Sequence, residues 1–195
     1  MGELFTSFDQ AWNHFLGRVE PLEDFFEQFD EDEKSVLEGW VIEPSTPVKR
    51  AAAEIQGAIS HLGWLVPVPD HFLHVWIGTI DPIGPAWERW PEVDAFSVAY
   101  VRANCFPTAV VVEVAGPIRR LVAGTPSDIP AFLPHMTVAI VRGHPGPDEL
   151  RTALLPLRDS QIGEQIVREV KRVRFPAART TLLRPWAVEQ VVPLR

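Results

Sequence analysis

The stretch Phe132-Leu133-Pro134-His135-Met136-Thr137-Val138-Ala139 decides how this chain is read. Apolar and β-branched residues run from His135 to Val141 between Pro134 and Gly143, which predicts a strand over 135–141. On a strand, residues i and i+2 share a face, so His135 and Thr137 present an imidazole and a hydroxyl side by side. That pair suits a phosphate. The imidazole can transfer a proton near neutral pH, and the hydroxyl can donate a hydrogen bond to a non-bridging oxygen. A second histidine has similar surroundings in Phe72-Leu73-His74-Val75-Trp76-Ile77. Two such histidines facing each other across a cleft would serve as base and acid in cleaving a phosphodiester without metal.

The other four histidines carry less. His14 and His61 fall in predicted helices and read as surface or structural residues. His71 lies three residues before His74 but ahead of its strand, so the two do not form a helical metal pair, and no acidic third ligand stands at a zinc spacing beside them. No metal site is expected. Cys105, the one cysteine, excludes a disulfide framework and a thiolate zinc site, and reads as a small buried apolar residue. No Gly-x-x-x-x-Gly-Lys-Ser/Thr stretch occurs, so no phosphate-cradling loop of that kind is expected, in agreement with a paired-histidine chemistry that requires no nucleotide triphosphate and no cofactor.

The chain has 195 residues, 46% hydrophobic and 23% charged. A chain of this size buries enough surface to hold a core without staples. With no leader pattern at the N-terminus, the sequence reads as a soluble cytoplasmic protein, with no membrane association. The net charge of −8 looks hostile to nucleic acid, yet it is local. Residues 1–45 hold twelve of the 26 acids against Arg18 and Lys34 as the only bases. The other 150 residues are slightly basic. That balance excludes tight, sequence-blind binding to long duplex DNA, which draws its affinity from many phosphate contacts, and leaves a nucleotide or an RNA end as the ligand.

Prolines divide the chain near the same place, since of 19 only Pro21 precedes residue 44. Residues 1–45 therefore read as an acidic helical extension, and 46–195 as the main domain. Phe5, Phe8, Trp12 and Phe15 recur at helical spacing on one face, and a second helix is expected around Leu22–Phe29. Thr46 caps a helix that starts at Pro47 and presents Ala52, Ile55, Ala58, Ile59 and Leu62 on one side. After Gly63 the period changes to that of strands, expected over 64–68, 72–80, 96–103, 109–115, 135–141, 165–173 and 186–193. Helices are expected over 86–94 and 147–155. The class is α+β.

In order along the chain, Leu65-Val66-Pro67-Val68-Pro69-Asp70 before Leu73-His74-Val75, Phe96-Ser97-Val98, Phe106-Pro107 with Ala109–Val114, the Phe132–Ala139 stretch, and Pro185-Trp186-Ala187-Val188 resemble the two-histidine (2H) phosphoesterases. This LigT-like group contains 2′,5′ RNA ligases and cyclic phosphodiesterases, and its mark is a duplicated His-x-Thr/Ser motif. The resemblance covers roughly residues 47–195. It implies a bilobal fold with two antiparallel sheets lining a central cleft, His74 and His135 as the catalytic pair, Thr137 on a phosphate oxygen, and 2′,3′-cyclic or 2′,5′-linked phosphates as substrates.

Three positions depart from the family pattern. Trp76 stands where the first motif has Thr or Ser, exchanging a compact hydroxyl for an indole that offers one N–H. Ile140 stands where members often carry Arg, and strand alternation turns Arg142 away from the face of His135 and Thr137. Gly78-Thr79-Ile80 lacks an aromatic used for base stacking, a task Trp76 would take over in lining the cleft. Two readings follow: an active phosphodiesterase or ligase, or a catalytically impaired module on the same fold that binds a nucleotide or another protein.

Overall fold

Short runs rich in Val, Ile and aromatic residues bury themselves by pairing, and among the described residues nine of them do so. The computed structural model describes residues 5–31, 36–79, 88, 90–122 and 133–195. Its strands are β1 (Val36–Ile42), β2 (Leu65–Pro67), β3 (Val75–Thr79), β4 (Phe96–Phe106), β5 (Ala109–Ala115), β6 (His135–Val141), β7 (Gly163–Val167), β8 (Glu169–Pro176) and β9 (Ala187–Pro193). They run β7-β4-β5-β6-β3-β1-β8-β9, with β2 also paired to β6. Every pairing among them is antiparallel. The two expected sheets are thus halves of one hydrogen-bonded path. They join where β3 meets β6 through a single register pair, Val75 with Met136.

Helices cover the sheet. α1 (Phe8–Gly17) is capped by Ser7, whose hydroxyl accepts from the Gln10 N–H, and it buries Ala11, Trp12 and Phe15. α2 (Thr46–Ile59) begins one residue earlier than expected, with Ser45 at its N-cap and Pro47 in its first turn, and buries Val48, Ala52, Ile55 and Ile59 against β6 and β7. From α2 the Gln56 amide donates to the Val68 and Val138 carbonyls, both at 2.8 Å, and so ties the ends of β2 and β6. α3 (Arg119–Val122) is a single turn. In α4 (Asp148–Leu154), Pro147 is the N-cap and Asp148 and Glu149 lie in the first turn, favoured by the helix dipole.

Several expectations change. Val36–Ile42, read as the end of a helical extension, is β1, set between β3 and β8 with Trp40, Val41 and Ile42 buried. Absence of proline permits a helix, but β-branched and aromatic residues paired on both edges make a strand. The helix expected over 22–29 is one 3₁₀ turn, Phe25–Gln28, whose first free N–H is held by the Asp24 carboxylate at 2.7 Å. The strand expected over 165–173 is interrupted at Arg168, which separates β7 from β8. Of the helix expected over 86–94, residues 86, 87 and 89 lie outside the described residues, and 88 and 90–92 are in 3₁₀ conformation. Trp90 within it is buried edge-on to Trp40 at 4.8 Å and donates its indole N–H to the Leu121 carbonyl. Among the described residues, no helix is long and apolar enough to cross a membrane.

Candidate active site

The Val75–Met136 pair sets the geometry of the site, because both residues point into the core and are fully buried. Their neighbours in each strand must point the other way. Continuing the antiparallel register sets His74 against Thr137 and Trp76 against His135. All four side chains are half-buried on one face, in the alternation that the strand period demands. Sequence reading paired His135 with Thr137 along one strand; the fold sets His74 opposite Thr137 from the other, in the lining of one cavity.

The two imidazoles are held by the same local device. His74 Nδ1 lies 2.7 Å from the Phe72 carbonyl, and His135 Nδ1 lies 2.7 Å from the Leu133 carbonyl, each two residues back. A carbonyl only accepts, so each Nδ1 carries the proton and each neutral ring offers its Nε2 lone pair. Burial pulls the His74 pKa down to about 4, the Phe72 carbonyl opposing the fall and the charge of nearby His135 adding to it. Burial lowers His135 too, against the pull of its own carbonyl partner.

His74, Trp76 and Thr137 line a cavity of about 170 Å³ whose other walls are apolar, among them Phe72, Phe175, Ile140 and Leu183. Among the described residues no lysine or arginine lines it. The His74 ring is boxed by Phe72 at 5.5 Å, Trp186 at 4.9 Å and Trp76 at 6.0 Å between centroids. His135 lies outside this lining and is packed edge-on to Phe106 at 5.0 Å. The Arg142 guanidinium sits over the Phe26 ring, 5.0 Å from its centroid. Ile140, at the position of the absent arginine, is a cavity wall.

Trp76 fits through a partner that the sequence did not advertise. Its ring lies so close over Gly39 of β1 that a Cβ there would come within 2.2 Å of two ring carbons. Glycine on the neighbouring strand is what lets the indole lie flat at this edge of the cavity.

Other residues of the site were also missed. Phe25 and Phe29, from the acidic N-terminal segment, line the same cavity as His74 and Thr137. Glu113, the register partner of His135 on β5, is buried and ion-paired to both Arg102 and Arg158, and accepts from the Asn104 amide at 2.7 Å. The sequence signals were present but mute: a Phe-Phe-x-x-Phe run inside an acidic tract, and one acid within an apolar strand.

His71 is bonded to the Leu183 carbonyl at 3.2 Å, and His144 to Glu27 at 3.3 Å. Cys105 is buried, and burial pushes its thiol pKa far up, leaving it no thiolate character. Among the described residues, no group of three or more His, Cys, Asp or Glu side chains is placed to hold a metal ion.

No protein-family model matches the sequence, and no curated protein matches it. Solved structures do. TT0787 of Thermus thermophilus aligns with a TM-score of 0.58 at 18% identity, over 82% of this chain and 98% of that one. E. coli LigT complexed with 3′-AMP aligns with a TM-score of 0.57 at 13% identity, over 81% of this chain and 97% of that one. The chain has the LigT-like fold. LigT complexed with ATP aligns with a TM-score of 0.56 at 15% identity, over 81% of this chain and 96% of that one. At these identities the likeness to LigT is one of architecture.

Proposed function

We propose that the chain is a metal-independent phosphodiesterase acting on 2′,3′-cyclic or 2′,5′-linked phosphates of nucleotides or RNA ends, with His74 and His135 as its acid and base. The observation that carries this reading is the matched pair of imidazoles, each fixed by Nδ1 on a carbonyl two residues back, with strand register setting both residues on one face of the β3–β6 joint. Nucleotide-bound LigT supports the ligand class.

In hydrolysis of a cyclic phosphate, one neutral imidazole accepts a proton from water through Nε2 as the water oxygen bonds to phosphorus. The bond from phosphorus to one ribose oxygen breaks, and the other imidazole, protonated beforehand, gives its proton to that oxygen. Thr137 donates its hydroxyl proton to a non-bridging oxygen. Ligation to a 2′,5′ linkage uses the same transfers with a ribose 5′-hydroxyl in place of water: its oxygen bonds to phosphorus, its proton passes to the neutral imidazole, and the 3′-oxygen leaves with the proton of the other. The chemistry makes no demand on a metal, so turnover is expected in excess chelator.

His74→Ala and His135→Ala are each expected to lower kcat by at least about 100-fold on a 2′,3′-cyclic nucleotide. Turnover that survives both changes would sink the proposal.

A second reading is favoured by Trp76, which removes the first motif's hydroxyl: a nucleotide-binding or protein-interaction module without catalysis. Its signature is nucleotide binding by calorimetry with no turnover of any phosphodiester. Trp76→Thr then locates the defect if activity appears.

A further inference from the structure

We infer that the N-terminal segment turns the cleft into a walled pocket for one nucleotide, so that the ligand is a small phosphate ester bearing a single flat apolar group and not the end of a long RNA strand. The reaction assigned to such a ligand rests on the reading above; the shape of the pocket does not.

Phe25 and Phe29, with centroids 5.5 Å apart, form a wall of the cavity that His74 and Thr137 also line. The segment carrying them is fastened at both sides of the cleft. Near the end of β6, the Leu22 N–H donates to the Pro145 carbonyl at 2.8 Å, and the Gly143 N–H donates to the Asp24 carboxylate at 2.6 Å. Between β8 and β9, Arg179 donates through its backbone N–H to the Asp30 carbonyl at 3.0 Å and through Nε to the Phe26 carbonyl at 3.2 Å. Leu22 and Phe26 are buried, so the segment belongs to the core and does not lift with each turnover.

The route past His135 is closed in the same way. Phe5 and Phe8 stack on Phe106, the ring that meets His135. Register places Glu113 beside His135, and the donors gathered on Glu113 already serve oxygens of α1. Arg102 and Arg158 reach the Asp9 carboxylate at 2.7 and 3.5 Å, and the Asn104 amide donates to the Phe8 carbonyl at 3.0 Å. Those donors are thereby drawn away from a passing RNA backbone, whose affinity is built from such contacts. Among the described residues, the opening that His74 and Thr137 share is an apolar cavity of about 170 Å³. That is the scale of one ring system, since an engineered cavity of about 150 Å³ takes benzene. Aromatic walls suit a base through its π-face.

The test is calorimetry on the full chain with three probes: 3′-AMP, ribose 5-phosphate, and an RNA hexanucleotide with a 3′-phosphate end. The wild type is expected to bind 3′-AMP at least about tenfold more tightly than either of the others. Phe25→Ala with Phe29→Ala should weaken 3′-AMP at least about tenfold and leave ribose 5-phosphate within about threefold. Phe29→Leu, which keeps the segment's apolar packing, should give a smaller loss in the same direction. No binding of 3′-AMP, equal or tighter binding of the hexanucleotide, or unchanged 3′-AMP affinity in both variants overturns the inference. Selective 3′-AMP binding with no turnover of any diester overturns the catalytic reading alone. Turnover with equal hexanucleotide binding overturns the pocket alone.

Discussion

At the level of single residues, the properties of His74 and His135 come from what surrounds them more than from what they are. Acid–base work by the pair requires one neutral ring and one protonated ring. Both rings are pulled below the ordinary histidine value of about 6.5, His74 to about 4. The singly protonated pair is therefore populated on the acid side of that value. In the free enzyme, kcat/KM on a cyclic nucleotide is expected to rise as pH falls from about 8 toward about 5, then to drop once both rings bind protons. A profile flat across this range, or one with its maximum on the alkaline side, would contradict the assignment. The Gly39–Trp76 contact gives a second expectation. Gly39→Ala should cost about 1–3 kcal/mol by overpacking, measured by denaturant titration. Trp76→Thr in the same chain should recover part of the loss, since the added methyl would still meet the Gly78 carbonyl at 2.8 Å. Additive effects would show that the ring does not rest on that glycine.

At the level of elements, the 3₁₀ turn Phe25–Gln28 shows how a short segment is fixed without a long helix. Burial alone would raise the Asp24 pKa, but the Gly143 and Phe26 N–H groups outweigh it and hold the carboxyl below its usual range. One carboxylate thus caps the turn and moors it to the loop after β6. Asp24→Ala removes both bonds and should cost about 2.5–4 kcal/mol, a lost cap of about 1 and a charge-assisted bond of about 1.5–3. The check is the unfolding free energy, and a change below about 0.5 kcal/mol would show the mooring to be dispensable. His144 adds a weaker tie: the Glu27 carboxylate, with the Leu22 carbonyl, raises its pKa. That contribution is complete below the unfolded value near 6.5 and fades as pH rises through the folded one.

At the level of the whole molecule, two junctions hold the parts in relation. One is the β3–β6 pairing, which places one histidine from each half of the sheet on a common face. The other is the buried cluster at Glu113, where β4, β5, α1 and the turn after α4 meet through Arg102, Asn104, Asp9 and Arg158. Arg158 is 10% exposed and lies over Trp12, so its charge has little access to water. Glu113→Ala leaves that guanidinium without its nearest carboxylate and should cost about 3–5 kcal/mol. Because the cluster fastens α1, the loss should appear as one cooperative transition shifted to lower denaturant, with no separate early unfolding of the N-terminal segment. A biphasic transition would show that the segment is an independent unit.

The sequence by itself determined what depends on near neighbours. Strand alternation put His135 and Thr137 on one face, Ala109–Ala115 and His135–Val141 came out at their observed bounds, and Thr46-Pro47 marked the start of α2 to within a residue. The order of motifs pointed to the LigT-like fold, which the structure has. Contacts between distant residues were decided only in three dimensions. Val36–Ile42 became a strand because β3 and β8 offered it partners on both sides, and β propensity takes effect only where such partners exist. Phe25 and Phe29 became cavity walls although more than a hundred residues separate them from Thr137. The charge of the N-terminal segment was visible from the start, but its aromatic face over the cleft was not, because composition records which residues are present and packing decides what they touch.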